Sequence, residues 1–138
     1  MIEKEQKELT EFIEAWEETD TNIKKAFLQL KSFLEAKEDA IFSFKARPGV
    51  SYSLRTACPG QERELFVMAD VIDDDPENRW LSVCFYGDMI SDPEERGDLI
   101  PEGLLGQDGY CFDIDEGEEG LLKYIEARLD EAYQVASS

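Results

Sequence analysis

The side chains that most often do chemistry are scarce in this chain. Its 138 residues include no His. That removes the commonest general base, the Ser-His and Cys-His nucleophile pairs, and every zinc site that needs an imidazole. Cys58, Cys84 and Cys111 are odd in number and far apart, without the close C-x₂₋₄-C pairs of zinc sites. Cys84 and Cys111 fall in apolar stretches, where a free thiol behaves as an inert small hydrophobe. The three therefore read as unpaired, and a reduced, cytoplasmic setting is expected. Cys58 sits beside Pro59-Gly60 and near Arg55 and Arg63, the one place where an exposed, electropositive thiol is conceivable.

Carboxylates are the opposite case: there are 33, too many for any pair to stand out as acid and base. Asp73-Asp74-Asp75-Pro76-Glu77-Asn78 clusters oxygens as a hard cation would want, but it reads equally as a solvated turn. Asp113-Ile114-Asp115-Glu116-Gly117 fails as an EF-hand, because its Gly is at position five and no terminal Glu follows at position twelve. Neither G-x-x-x-x-G-K-[ST] nor G-x-G-x-x-G occurs. No metal and no cofactor is expected.

The most distinctive small constellation is basic. Lys45, Arg47 and Arg55 lie close together with Tyr52, and Trp80 and Tyr86 bracket a nearby apolar run. On alternating strands the three cations project from one polar face, where they would clamp an anion or a partner's carboxylate. The plainer reading is that they neutralise the chain's own acidic loop or a twofold mate.

Net charge is −19, and it is uneven. Residues 87–138 carry three basic groups against fifteen acidic ones, whereas 40–86 are near neutral. Asp92, Glu94, Glu95, Asp98, Glu116, Glu118 and Glu119 are the candidate acidic partner surface. Direct nucleic-acid binding is disfavoured, since it needs clustered Lys and Arg, and so is an anionic membrane surface. Long-range attraction favours basic proteins. The segment Met1-Ile2-Glu3-Lys4-Glu5 lacks an apolar run, so no secretory signal is expected.

Apolar spacing supplies the elements that would hold these groups. Residues 1–39 are helical: Leu9, Phe12, Ile13, Trp16, Ile23, Phe27, Leu30, Phe33 and Leu34 share a stripe. Thr19-Asp20-Thr21-Asn22 are weak helix formers and good N-caps, which predicts a break into two helices near Thr19 to Thr21. The first helix has a thin stripe and is a candidate for packing on a second copy. Residues 40–86 read as a β-meander. Val50 to Arg55 alternates cleanly, while Leu65 to Ile72 and Trp80 to Tyr86 are nearly unbroken apolar runs that suggest burial on both faces.

The first hairpin of the meander constrains its own register. A two-residue Pro48-Gly49 loop would put Phe44 opposite Ser53, apolar against polar on one face. A loop of three or five residues is therefore predicted, with Phe44 facing Tyr52 or Leu54 and Arg47 on the rim. Residues 87–109 show no period and read as a long acidic loop, 110–114 as a last strand, and 116–134 as a helix capped by Asp115 with Val135 to Ser138 frayed.

The expected fold is a single α+β domain. An N-terminal helix or helical hairpin precedes an antiparallel meander of about five strands, and a C-terminal helix packs on one face. Small size, acidity and this layered plan suit partner-binding modules, an analogy that carries no residues across. The expected function is a non-catalytic, cytoplasmic protein-interaction or regulatory module, homodimeric, with a protein partner that presents a basic surface. Two alternatives stand beside it. One is a nucleic-acid mimic that occupies a basic groove with the 87–138 carboxylates. The other is a small-molecule sensor or enzyme with 87–109 as a lid over Arg47, Tyr52 and Arg55.

Overall fold

A computed structural model describes residues 1–138. The helical segment is two helices, α1 (Glu3–Ala15) and α2 (Ile23–Glu35), broken where the weak helix formers predict. The capping differs from expectation. Asn22 occupies the N-cap position with φ 60° and makes no side-chain bond. Instead Glu18 reaches across, its Oε1 accepting from the N–H groups of Thr19 and Lys24 and its Oε2 from Lys25 at 2.7 Å. A carboxylate at the positive end of α2 is favourable on both hydrogen-bonding and dipole grounds.

Six strands follow rather than about five: β1 (Ile41–Arg47), β2 (Ser51–Ala57), β3 (Val67–Ile72), β4 (Trp80–Tyr86), β5 (Asp98–Leu104) and β6 (Gln107–Ile114). All pairs are antiparallel, in the order β1-β2-β3-β4-β6-β5. The first four form the predicted meander. Phe44 lies opposite Leu54 across a three-residue connection, as the parity of the two strands requires.

The extra strand sits inside the segment read as a loop. β5 is an outer strand whose residues are exposed up to Leu104, and its register shifts between Ile100 and Leu104. With Pro101 and Gly103 inside it and one neighbour only, it carries no alternation to detect. It turns into β6 at Leu105 (φ 50°) and Gly106 (φ 83°). Both central residues are left-handed, as a tight two-residue hairpin demands, so β6 starts three residues before the predicted 110.

The last helix, α3 (Glu119–Ser137), begins later and ends later than 116–134. Asp115 does not cap it; Glu118 holds the N-cap position without a side-chain bond. Its last turn stays helical because Ala136 is buried against the body.

All three helices lie on one face of the sheet. The residues facing them are Phe44, Leu54, Ala69, Val71, Leu81, Val83, Phe112 and Ile114, and they join one continuous apolar cluster. α1 packs on its own chain: Phe12 stacks on Tyr52 at 3.9 Å and lies 6.0 Å from Phe44. α3 brings Tyr124 to Phe112 and Tyr133 to Phe66. No helix covers the other face, so the apolar runs of β3 and β4 are sandwiched on one side only. No helix is long and apolar enough to cross a membrane.

Candidate interaction surfaces

Strand pairing sorts the uncovered face into rows. Directly opposed residues point the same way, so one row runs Lys45, Ser53, Asp70, Ser82, Asp113 across β1, β2, β3, β4 and β6. Its neighbour runs Ser43, Arg55, Met68, Cys84, Cys111, Asp98 and reaches β5. A third runs Arg47, Ser51, Ile72, Trp80. Lys45, Arg47, Arg55 and Trp80 thus share one face.

Two of the predicted site residues do not belong with them. Tyr52 points to the opposite face, into the core, because it lies between inward-facing Ala46 and Val71. Burial raises its phenol pKa, and Asp73 raises it further. Tyr86 shares the uncovered face by register, but the Arg63 guanidinium covers its ring at 4.1 Å and leaves it 2% exposed. Arg63 in turn grips Asp88 through both carboxylate oxygens, at 2.6 and 2.9 Å, and donates to Gln107. An open groove of about 1040 Å³ runs beside Arg63, between the 59–64 loop, the Leu105–Gln107 turn and the end of α3.

At the centre of the uncovered face is Asp70, which the sequence did not single out. Burial pushes its carboxyl pKa up, while Ser53 and the Arg55 and Arg47 guanidiniums pull it down; the balance is upward. One of its oxygens, Oδ1, has no hydrogen-bond partner. Arg55 Nε donates to Ser53 Oγ at 3.2 Å, which steers the guanidinium over this row.

The cations of this face are unusual for so acidic a chain. Eight of the basic side chains are in ion pairs, among them Lys37–Asp130, Arg63–Asp88, Arg79–Asp73 and Arg96–Glu94. Lys45, Arg47 and Arg55 are in none. On the far side of the same face Asp98 and Asp113 also lack a cation. Burial and the charges of Asp98 and Asp115 hold the Asp113 carboxyl above its ordinary range.

The seven predicted acidic residues divide. Asp92 turns inward: it accepts from the Tyr124 hydroxyl and from the N–H groups of Arg96 (3.0 Å) and Gly97 (2.9 Å). Burial raises its carboxyl, but those bonds and one from Tyr110 outweigh it and bring the pKa to about 2. Glu94 pairs with Arg96 at 3.2 Å, and Glu95 stays exposed in the same turn. Asp98 is on β5. Glu116 and Glu118 are exposed, and Glu119 lies 3.9 Å from Lys123.

The 115–118 turn is tied to the α1–α2 break. Gly117 N–H donates to Thr21 O at 2.7 Å, and a Cβ at Gly117 would meet Asn22 O at 2.6 Å. Only Gly allows so close an approach. The contact joins the loop that carries exposed Glu17 and Asp20 to the turn that carries exposed Asp115, Glu116 and Glu118, and none of the five is ion-paired. Glu17 and Asp20 were not among the predicted residues, because nothing in the order of the chain relates the two loops.

The remaining candidates resolve into structure. Asp73, 3% exposed, accepts from Arg79 Nε at 2.8 Å and from Gly49 N–H at 2.9 Å. Arg79 sits among Phe12, Trp16 and Tyr52, at 5.1 to 5.6 Å from their rings. Asp75 caps its own turn through Glu77 and Asn78. Cys58 is buried, not exposed, and both burial and Asp39 raise its pKa, away from the reactive thiolate. Cys84 and Cys111 are not free: they lie opposite each other on β4 and β6, with Cα atoms 4.1 Å apart, and form a disulfide. No family model matches the chain, and no curated protein or solved structure is similar to it.

Proposed function

We propose that this chain is a non-catalytic protein-interaction module whose partner presents a basic surface to its acidic end. The observation that supports this reading is the tie between Gly117 and Thr21. It joins two acidic loops distant in the chain, one with exposed Glu17 and Asp20 and one with exposed Asp115, Glu116 and Glu118, and none of these carboxylates has a cation. Like charges held together in this way cost stability unless a partner neutralises them. Such a field also raises the association rate of a basic partner, in a salt-dependent way. The disulfide between Cys84 and Cys111 favours a non-reducing setting over the reduced cytoplasm expected from unpaired thiols.

The test is affinity capture from an extract of the source cells on the immobilised full chain, eluted with a salt gradient. A parallel column carries the Asp115→Asn/Glu116→Gln/Glu118→Gln variant, and a control carries Glu102→Gln/Asp108→Asn. A basic protein retained by the wild type and the control, released at moderate salt and lost from the variant, supports the reading. A partner held equally by all three columns and indifferent to salt overturns it. Competition by added duplex DNA for the same partner would favour the nucleic-acid mimic instead.

A further inference from the structure

The uncovered face is polarised, and its two halves complement each other. Unpaired Lys45, Arg47 and Arg55 lie on β1 and β2, whereas uncompensated Asp113 and Asp98 lie on β6 and β5. Between them β3 and β4 present Met68, Asp70 and Ile72 beside Trp80, Ser82 and Cys84. The face holds both signs in near balance while the chain as a whole is −19. A basic partner is therefore not what it fits.

We infer that a second copy of this chain stacks on the uncovered face, sheet against sheet, about a twofold axis that runs along the strands between β3 and β4. This goes beyond the basic-partner reading and does not depend on it, since it uses a different surface. The strand order β1-β2-β3-β4-β6-β5 has its midpoint between β3 and β4. The twofold therefore lays β1 over β5, β2 over β6 and β3 over β4. Because the axis follows the strands, each row meets its own reverse. Ile72 meets the mate's Trp80, Met68 meets Cys84, and Asp70, with its unpartnered Oδ1, meets the Ser82 hydroxyl. Arg55 comes over Cys111 with Asp113 one step along the strand, and Ser53 comes over Asp113. Packed sheets are rotated by about 30°. At β2 that slides the rows by only about 4 Å, within the reach of an arginine that spans same-face neighbours about 6.7 Å apart.

The area suffices. Six strands at about 4.8 Å spacing and about 22 Å length give a face of roughly 500 Å², so a pair covers roughly 1,000 Å² of flat surface, at the threshold for a specific interface before side-chain relief is counted. An isologous contact repeats every pair twice. Repulsion between two acidic chains acts over the Debye length, about 8 Å at physiological salt, and is screened there, while contacts across the closed face are not.

The test is sedimentation equilibrium of the full chain at physiological salt over a concentration series, with Arg55→Glu and Asp113→Arg alone and mixed. Each substitution alone places like charges across the twofold and is expected to raise the dimer dissociation constant about a hundredfold. Mixing the two single variants pairs opposite charges at both symmetry-related contacts, so an equimolar mixture is expected to dimerise again. The mixture also guards against misfolding, because two unfolded chains would not restore a dimer. A wild type that stays monomeric to the highest concentration overturns the inference. So does a dimer indifferent to both reversals, or a mixture that remains monomeric.

Discussion

The backbone N–H of Phe44 donates to Oε1 of Glu5 at 2.9 Å, from the outer strand of the sheet to the helix beside it. β1 has a neighbour on one side only, so its outward N–H groups would otherwise await water or another strand. Replacing Glu5 with Ala leaves that donor part-buried and unmet. The cost is expected to be about 1 kcal/mol, at the low end for an unsatisfied group because water can enter. Glu5→Gln keeps an acceptor and should retain most of the stability. Urea midpoints measure the loss, and hydrogen exchange localises it. If the Phe44 amide exchanges no faster in the Ala variant, Glu5 is not guarding the edge.

Asp92 fastens the turn before β5 to α3 and β6. Its carboxyl lies at about 2 against an ordinary value of 3.8, so the folded state binds this proton more weakly than the unfolded chain. The sign follows: the contribution is complete above about pH 4 and disappears as pH falls towards 2. The groups that face it are the Tyr124 and Tyr110 hydroxyls and the N–H groups of Arg96 and Gly97, and neither tyrosine ionises in that range. Asp92→Asn is expected to cost about 1.5 kcal/mol at pH 7, a low figure for charge-assisted bonds because the turn is solvated. The gap between wild type and variant should close between pH 4 and pH 2. Thermal unfolding of both across that range checks it, and a gap that stays constant would sink the assignment.

Much of the scaffold was legible because burial leaves periodicity. The apolar stripe from Leu9 to Leu34 marked the helical segment and Thr19 to Asn22 its break, and parity narrowed the first hairpin to Phe44 facing Tyr52 or Leu54, of which Leu54 is the partner. β5 was not legible, since an outer strand with Pro101 inside it needs no apolar alternate residues. The side of Tyr52 was legible in the alternation of Val50 to Arg55, which sets it with Leu54 and away from Arg55, although grouping it with its basic neighbours as a site ignored that parity. Its ring goes inward to Phe12 while Arg47 and Arg55 go outward. The approach of the 115–118 turn to the α1–α2 break depends on Gly117 meeting Thr21 across the fold, and the uncovered rows on which strands are neighbours. Such relations are set by topology, and residue order alone does not encode them.

The cysteines show the same limit and carry the sharpest test. Cys84 and Cys111 are 27 residues apart, and only the pairing of β4 with β6 makes them neighbours. Closing a loop of that length is expected to stabilise the fold by about 3.5 kcal/mol in the chain-entropy account. For a domain of this size that corresponds to roughly 10 °C in Tm. Denatured without reductant, the chain should titrate one thiol, Cys58; after reduction it should titrate three. The Cys84→Ser/Cys111→Ser variant should melt at the lower temperature whether or not reductant is present, whereas the wild type should fall to it only when reduced. Three thiols in the unreduced, denatured chain would mean that the two strands bring the sulfurs together without joining them, and the inference of a non-reducing setting would go with the bond.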